Sequence, residues 1–178
     1  MLERRFVWMD LEMTGLDPAD CVILEVGVII TNAELLPLAT YEAAVWQPDP
    51  VLATMSPFVR EMHTRNGLLG RVTHSKTDIS MVERDVLGLL ATHCRFREGV
   101  LAGNSIHTDR RFLLRYMPSV EKFLHYRQLD VSSLKVLAQA WAPELEFVKT
   151  DKHHTALDDL RASLDELEHY RRHFFRKP

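Results

Sequence analysis

The chain is poor in cysteine, with two in 178 residues. Cys21 and Cys94 stand far apart and form no C-x-x-C pair, so the sequence indicates neither a disulfide framework nor a zinc site. Cysteine usage of this kind is typical of proteins from reducing compartments. We therefore expect a cytoplasmic protein without structural disulfides.

The sequence also lacks an apolar run long enough to cross a bilayer. Its longest apolar stretch, residues 21–30 (CVILEVGVII), is about half the length of a membrane-spanning helix and is interrupted by Glu25. The first residues, MLERRFVWMD, contain no apolar h-region and no small-residue cleavage site, so we expect no signal peptide. Neither a membrane span nor secretion is predicted.

The chain has no excess of positive charge. Its net charge is −3 at pH 7 and its pI is about 6.3. A protein that binds long duplexes through their phosphates usually carries a clear positive excess. Three possibilities remain: nucleic acid is not the ligand, the ligand is short, or metal ions supply the positive charge.

Length and composition favour one globular domain. A chain of 178 residues is long enough for one well-cored domain and short for two. It is 46% hydrophobic and 26% charged, as ordinary globular proteins are, and no low-complexity linker or internal repeat divides it. We expect a single domain over residues 1–178.

Strand-like patterns open the chain and alternate with helical patterns later. Runs rich in Val, Ile, Trp and Tyr at residues 5–12, 21–31 and 39–46 predict three strands, and their short connections favour an antiparallel meander. The patterns that follow predict helix 55–67, helix 78–94, strand 100–104, helix 108–117, strand 126–131, helix 132–141 and helix 155–174. The expected class is α/β: a mixed five-stranded sheet, three antiparallel strands then strand–helix alternation, flanked by helices.

Two carboxylates interrupt the apolar first strand. In residues 6–17 (FVWMDLEMTGLD), Asp10 and Glu12 lie at i and i+2, so both side chains leave the same face. Charges among apolar residues are costly unless they are paired, hydrogen-bonded or bound to a metal, and two close carboxylates repel each other. Two solvated acids at an exposed strand end are the alternative, and this motif alone leaves both possibilities open.

Asp109 falls on the apolar side of a predicted helix. Phe112, Leu113 and Tyr116 lie at i+3, i+4 and i+7 from it, which places the carboxylate on the core-facing stripe. The alternative is an acid in a first helical turn, which the macrodipole favours. That alternative accounts for the position of Asp109 along the helix but not for its face.

The segment HHTALDDL, residues 153–160, offers a histidine and two acids at a helix start. Thr155 followed by Asp158 resembles a capping box with Asp in place of Glu, which leaves His154 on the preceding loop. Leucines at helical spacing define the predicted buried face, namely Leu157, Leu160, Leu164 and Leu167. Asp158 points about 150° from that face and Asp159 flanks it, so we interpret Asp158 as a cap and Asp159 as the functional acid. For His154 alone, a surface or capping histidine is the alternative.

Three separate segments thus each offer an acid where burial is expected. The acids are Asp10, Glu12, Asp109 and Asp159. Hard oxygen donors without cysteine suit Mg²⁺ or Mn²⁺ better than zinc. A histidine such as His154 has an ordinary pKa near neutrality, which suits general-base work on a water molecule. The combination predicts a two-metal site for in-line displacement at phosphorus.

Three motifs resemble those of the DEDDh 3′→5′ exonucleases, whose fold is ribonuclease H-like. The motifs are WMDLEMTGL, GNSIHTDRRFL and HTALDD. The second of them, together with YRQLDVSSLK, is similar more narrowly to the oligoribonuclease group, and the likeness extends from Arg5 to the last helix. The resemblance implies that the four acids hold two divalent cations. It also implies that His154 deprotonates the attacking water while one cation stabilises the leaving 3′-oxygen.

The resemblance further implies a set of substrate contacts. Leu16 would wedge against the bases, and His63 would lie near the scissile end. Four residues would enclose the 5′-phosphate of a dinucleotide, partly from a partner subunit: Ser105, Tyr126, Arg127 and Ser132.

Taken without the resemblance, these positions have ordinary alternatives. Leu16 is equally a loop hydrophobe, Arg127 a surface ion-pair partner and Ser132 a helix N-cap. The chain departs from the family at Phe58, where Trp is common, so a stacking contact there would be smaller.

Together these features predict a metal-dependent 3′→5′ exoribonuclease that hydrolyses short oligoribonucleotides, dinucleotides included, to 5′-mononucleotides, the final step of RNA degradation. The resemblance implies a homodimer. A short substrate has few phosphates to neutralise, which agrees with the absence of excess positive charge. The alternatives are a DNA proofreading-type exonuclease with the same metal site, a catalytically silent nucleic-acid-binding module, and acids that are merely surface residues.

Overall fold

A mixed sheet of five strands forms the centre of the computed structural model, which describes residues 4–148 and 155–175. The strands are β1 (Phe6–Met13), β2 (Ile23–Thr31), β3 (Pro37–Ala44), β4 (Val100–Gly103) and β5 (Gln128–Asp130). Their order across the sheet is β3-β2-β1-β4-β5. The first three strands pair antiparallel, whereas β4 pairs parallel with β1 and β5 parallel with β4. The predicted fold class is confirmed.

Helices cover the sheet, and three of them were not predicted. The helices are α1 (Asp49–Leu52), α2 (Pro57–Arg65), α3 (Leu68–His74), α4 (Ile79–His93), α5 (His107–Tyr116), α6 (Pro118–Phe123), α7 (Val131–Trp141) and α8 (Ala156–Phe174). The five longest match the predicted helices. The missed α1, α3 and α6 have at most seven residues, too few for an amphipathic repeat to stand out. No helix within residues 4–148 and 155–175 is long and apolar enough to cross a membrane.

Gly67 separates α2 from the unpredicted α3. Its φ of 75° lies in the left-handed region that glycine adopts most readily, so the expected break after α2 is present. The chain then re-enters a helix at Leu68. What the sequence pattern indicated as the end of a helical region is therefore a corner between two helices.

The alternation of β1 assigns its residues to two cores. The odd-numbered residues from Val7 to Leu11 pack against α4 and α5 on one face of the sheet. Trp8 packs against α7 and α8 on the other face. Asp10 and Glu12 share the parity of Trp8. Strand β1 therefore directs both carboxylates toward the side of the sheet that α8 covers.

The buried face of α8 differs from the predicted leucine stripe. The structure buries Ala156, Leu160, Ser163, Glu166, Leu167 and Tyr170, whereas Leu157 and Leu164 are only half buried. Small side chains on this face allow α8 to pack directly on β1 and β2. The buried Glu166 accepts a hydrogen bond of 2.9 Å from Asn104, which compensates its burial.

Candidate metal centre

Three carboxylates converge where β1 meets the start of α8. Oxygen atoms of Asp10, Glu12 and Asp159 lie within 4.8 Å of one another, and all three residues are partly exposed. Strand β1 supplies two of them from one face, and the first turn of α8 brings the third. We call these three residues the acid cluster. Like charges this close repel, so the cluster needs either protons or a cation to be stable.

Asp109 is close enough to Glu12 for its charge to act on that carboxyl group, and it is anchored to β1. Its side chain is buried, as its position on the core-facing stripe of α5 predicted, and Oδ1 accepts a hydrogen bond of 3.0 Å from the backbone N–H of Leu11. Strand β4 pairs with β1 only as far as Trp8. The N–H of Leu11 lies beyond that ladder, and Asp109 satisfies it. Among the described residues, the group of mutually close oxygens does not include Asp109.

Two acids at this site have a raised pKa. Burial is the main cause that raises the pKa of Glu12 to about 7. The charges of Asp159, Glu25 and Asp109 raise it further, in that order. Burial also raises the pKa of Asp109 to about 7, although the hydrogen bond from Leu11 lowers it. Both acids therefore exchange a proton, or accept a cation in its place, near neutral pH.

These pKa values predict a pH-dependent stability in protein stripped of divalent cations with EDTA. Glu12 and Asp109 have a pKa of about 7 in the folded chain, against about 4 in the unfolded chain. Between about pH 4 and pH 7 the folded chain binds more protons than the unfolded chain. Its free energy of unfolding should therefore fall as pH rises through this range. The loss is at most about 1.4 kcal/mol per pKa unit of each group. Urea unfolding between about pH 5 and pH 8 measures it.

Saturating Mn²⁺ provides the matched measurement. Because a cation binds the ionised carboxylates, it should remove most of the loss of stability at high pH. An EDTA-treated protein whose free energy of unfolding stays constant or rises from pH 5 to pH 8 would contradict the raised pKa values.

Thr155 is the N-cap residue that precedes α8, as predicted. Its Oγ1 accepts a hydrogen bond of 3.2 Å from the N–H of Asp158 and donates one of 3.0 Å to Asp158 Oδ2. Asp158 also binds Arg161 at 3.0 Å, whereas Asp159 belongs to the acid cluster. The predicted general base, His154, lies outside the described residues and its role stays a prediction.

His63 is buried at the edge of the acid cluster. Its Nε2 lies 2.9 Å from the carbonyl oxygen of Met13, which can only accept, so Nε2 donates. Its Nδ1 lies 3.8 Å from Glu12 Oε2 and has no hydrogen-bond partner within the described part of the chain. The fold thus holds one ring nitrogen of His63 beside a carboxylate of the cluster.

Ser105 and Ser132 come together at the end of β4. Ser105 has a left-handed φ of 49°, and its N–H donates to Asp130 Oδ1 and Ser132 Oγ, each at 3.0 Å. The two hydroxyl oxygens are 3.4 Å apart. The alternative interpretation of Ser132 as an N-cap is wrong. Helix α7 begins at Val131, one residue earlier, and Asp130 caps it by accepting from the N–H of Ser132 at 3.0 Å.

The other predicted substrate contacts lie on the surface. The guanidinium carbon of Arg127 lies 5.3 Å from the ring centroid of Tyr126, and Tyr126 is 67% exposed. Leu16, in the loop after β1, is 72% exposed, and Phe58 is 77% exposed. Large apolar side chains exposed in this way can contact a nucleobase or another chain. The structure thus pairs Tyr126 with Arg127, and leaves Leu16 accessible.

Two charged residues beside the acid cluster were not predicted from the sequence. Glu25 is fully buried in β2 and forms an ion pair with Arg71 of α3. It stands directly opposite Glu12 in the β1–β2 register. The sequence shows that Glu25 is unusual, since it is the single charge in an apolar strand. It does not show the partner, because Arg71 lies on a helix that was not predicted.

The donor set of the acid cluster fits a hard divalent cation. It consists of carboxylate oxygens without sulfur, the chemistry that Mg²⁺ and Mn²⁺ prefer. Glu12 has a pKa of about 7 because ionisation is opposed by burial and by its neighbours. A bound cation would favour the ionised form of Glu12 and so lower its pKa. The residues present therefore suit a divalent metal.

Comparison with known sequences gives a consistent family. The exonuclease family model, RNase_T, matches residues 7–167. An oligoribonuclease of Marinobacter nauticus is 46% identical over 174 residues, covering 97% of this chain and 97% of the relative. An oligoribonuclease of Hahella chejuensis is 47% identical over 172 residues, covering 96% of this chain and 94% of the relative. The likeness therefore spans nearly the whole of this chain and of each relative.

Comparison with solved structures shows the same fold in more distant proteins. A zinc-bound complex of Escherichia coli exonuclease I with single-stranded DNA superimposes with a TM-score of 0.73 at 14% identity, over 96% of this chain. Exonuclease I from Methylocaldum szegediense gives a TM-score of 0.71 at 16% identity, over 96% of this chain. The chain spans 41% of the length of each of these structures. At this identity the likeness concerns the fold alone.

Proposed function

This chain belongs to the exonuclease family, within its oligoribonuclease group, and we propose that it removes nucleotides from the 3′ ends of short oligoribonucleotides. The products are 5′-mononucleotides. The observation that carries the proposal is the acid cluster, in a chain 46% identical to an oligoribonuclease over 97% of its length. We assign the activity to a single exonuclease domain over residues 1–178.

The metal site is proposed to hold two divalent cations, Mg²⁺ or Mn²⁺. Asp10, Glu12 and Asp159 would hold them, together with Asp109. When bound, the cations would supply Lewis-acid charge at the scissile phosphate and lower the pKa of a water molecule. The carboxylates are preorganised for this because a strand and the first turn of a helix fix three of them.

The proposed general base is His154. It precedes the N-cap Thr155 directly, next in sequence to the helix turn from which Asp159 reaches the acid cluster. A neutral imidazole can take the proton of the attacking water, since its ordinary pKa lies near neutrality. We assign His63 to the scissile end of the substrate, because its Nδ1 faces Glu12 at 3.8 Å.

The far end of the substrate would meet a closed wall. We propose that Ser105, Ser132 and Arg127 bind the 5′-phosphate and that Leu16 wedges against the bases. The hydroxyls of Ser105 and Ser132 lie 3.4 Å apart, close enough to bind the same phosphate group. A longer chain would have to pass through this wall, so the activity should favour short substrates. A net charge of −3 fits a substrate with few phosphates.

We propose a cytoplasmic homodimer. Tyr126 is 67% exposed while its ring lies against Arg127, so a second copy of the chain could cover it and complete the phosphate cap. Two large apolar side chains are exposed on α7, Val136 and Trp141, and they offer further surface for such contacts.

One digestion series tests the proposed activity. A 5′-phosphorylated RNA dinucleotide and an RNA 20-mer are each incubated with the protein in Mn²⁺ and in EDTA. In Mn²⁺ we expect rapid conversion of the dinucleotide to mononucleotides and slower shortening of the 20-mer. In EDTA we expect no hydrolysis, because the carboxylates then hold no cation that could act as a Lewis acid.

Other outcomes of the series would favour the alternatives. A marked preference for the 20-mer, especially as single-stranded DNA, would favour a DNA proofreading-type exonuclease. Binding of either oligomer without turnover in Mn²⁺ would favour a nucleic-acid-binding module. Hydrolysis that persists in EDTA would rule out the metal mechanism.

A further inference from the structure

Glu25 is a buried carboxylate that joins three elements beside the acid cluster. It lies in β2, where an isolated charge is costly. Its Oε1 accepts a hydrogen bond from Arg71 Nη1 on α3, and its Oε2 accepts one of 3.3 Å from the backbone N–H of Ala156. Ala156 is the first residue of α8. Glu25 is therefore bonded to the start of the helix that carries Asp159.

Strand β2 also holds the start of α8 by close packing at Gly27. A Cβ on Gly27 would lie 2.8 Å from the Cβ of Ala156 and 3.1 Å from its carbonyl carbon, so a larger residue would push the helix away. The partial positive charge of a helix N-terminus further favours the carboxylate of Glu25. One hydrogen bond and one close contact, two residues apart on β2, thus set where α8 begins.

The same two residues of β2 stand opposite the two acids of β1. In the register of the sheet, Glu25 pairs with Glu12 and Gly27 pairs with Asp10. Asp159 follows in the first turn of α8. A shift of the helix start would therefore move the carboxylate of Asp159 relative to both acids of β1.

Arg71 makes a buried Glu25 compatible with this acidic site. Glu25 raises the pKa of Glu12 more than Arg71 lowers it, so the ion pair adds less repulsion at the acid cluster than an unpaired Glu25 would. Loss of Arg71 alone would leave Glu25 as one more uncompensated carboxylate.

We propose that Glu25 and Arg71 are positioning residues, which hold the start of α8 so that the carboxylate of Asp159 stays within the acid cluster. Neither residue needs to touch the substrate for this role. The catalytic consequence rests on the proposed function, whereas the placement of α8 can be measured without turnover.

The variant Glu25→Gln tests the proposal with little change in side-chain volume. On the RNA dinucleotide in saturating Mn²⁺, kcat should fall about 10- to 100-fold, the usual effect of losing a residue that orients metal ligands. KM should stay within about threefold, since the substrate contacts are untouched. Hydrogen exchange of the amides of residues 156–158, measured in EDTA, should become faster than in the parent protein.

Arg71 variants and a surface control sharpen the comparison. Arg71→Gln should lower kcat in the same way, and Arg71→Lys should retain more activity because it keeps the charge. The double variant Glu25→Gln with Arg71→Gln carries no uncompensated charge, so it should regain stability without regaining kcat. Arg65→Gln is the matched control, since it breaks an exposed pair with Glu61 on the neighbouring helix α2 and should change neither readout.

Distinct results would overturn the inference. Unchanged exchange at residues 156–158 in Glu25→Gln would do so, as would recovery of parental kcat in the double variant, which would mean that the pair only stabilises the fold. If the parent protein itself fails to hydrolyse the dinucleotide, the proposed function fails, and the exchange measurement in EDTA still decides whether Glu25 holds α8.

Discussion

Replacing Asp109 with Asn should abolish dinucleotide hydrolysis and leave the fold intact. The amide side chain of the Asp109→Asn variant keeps an oxygen that accepts the hydrogen bond from the N–H of Leu11, so the anchor to β1 survives. What disappears is a carboxylate that can ionise beside the acid cluster and hold a cation. We expect kcat in saturating Mn²⁺ to fall by about 10³-fold, comparable to the loss of one strong electrostatic contact in a closed site.

The stability of the Asp109→Asn variant separates this effect from misfolding. Burial raises the pKa of Asp109 to about 7, so its ionisation above that pH opposes folding in EDTA. The uncharged variant should therefore be at least as stable as the parent protein in EDTA at pH 8, as measured by urea unfolding. Full activity in a folded variant would remove Asp109 from the site, and loss of both activity and stability would assign it a structural role instead.

Strands β1 and β2 were predictable because they bury alternating or continuous apolar faces. Strand β2 is buried at all nine positions, and β1 alternates between two cores, so both were visible as patterns of Val, Ile, Trp and Leu. The short helices were not predictable in this way. Helix α3 has seven residues, and its start depends on the left-handed backbone of Gly67, which sets a corner and gives no periodic signal.

The face of each helix was predictable only where few small residues contribute to burial. On α5, Phe112 and Leu113 placed Asp109 toward the core, and the structure buries all three. On α8 the leucine stripe was misleading, because Ala156 and Ser163 are also buried and turn the contact face away from Leu157. The structure still shows Asp158 at the cap and Asp159 in the acid cluster, because the distinction between them depended on the capping box as well.

Pairings between distant segments could not be predicted from one sequence. The partner of Glu25 is Arg71, 46 residues away on an unpredicted helix, and its second partner is a backbone N–H 131 residues away. The bond from Leu11 to Asp109 spans 98 residues. Charged residues in an apolar strand can signal that such partners exist, but only the tertiary structure identifies them.

The same substitution should affect kcat strongly at one of the two adjacent acids of α8 and only weakly at the other. Asp159→Asn removes a carboxylate of the acid cluster, so kcat on the dinucleotide in Mn²⁺ should fall by about 10³-fold. Asp158→Asn leaves the cluster intact and weakens only the first turn of the helix, where Asp158 binds Thr155 and Arg161. Its cost should be about 0.5 kcal/mol of stability, with kcat little changed.

The two variants control each other because they make the same chemical change one residue apart. Side-chain volume, loss of charge and distance from the start of α8 are nearly matched, so a difference in kcat reflects where each carboxylate points. Calorimetric titration with Mn²⁺ gives a second measurement, in which Asp159→Asn should bind the cation more weakly and Asp158→Asn should bind it like the parent. Equal losses of kcat in both variants would mean that the helix start as a whole sustains activity. In that case Asp159 would not be a specific metal ligand, and the cation would be held by Asp10, Glu12 and Asp109.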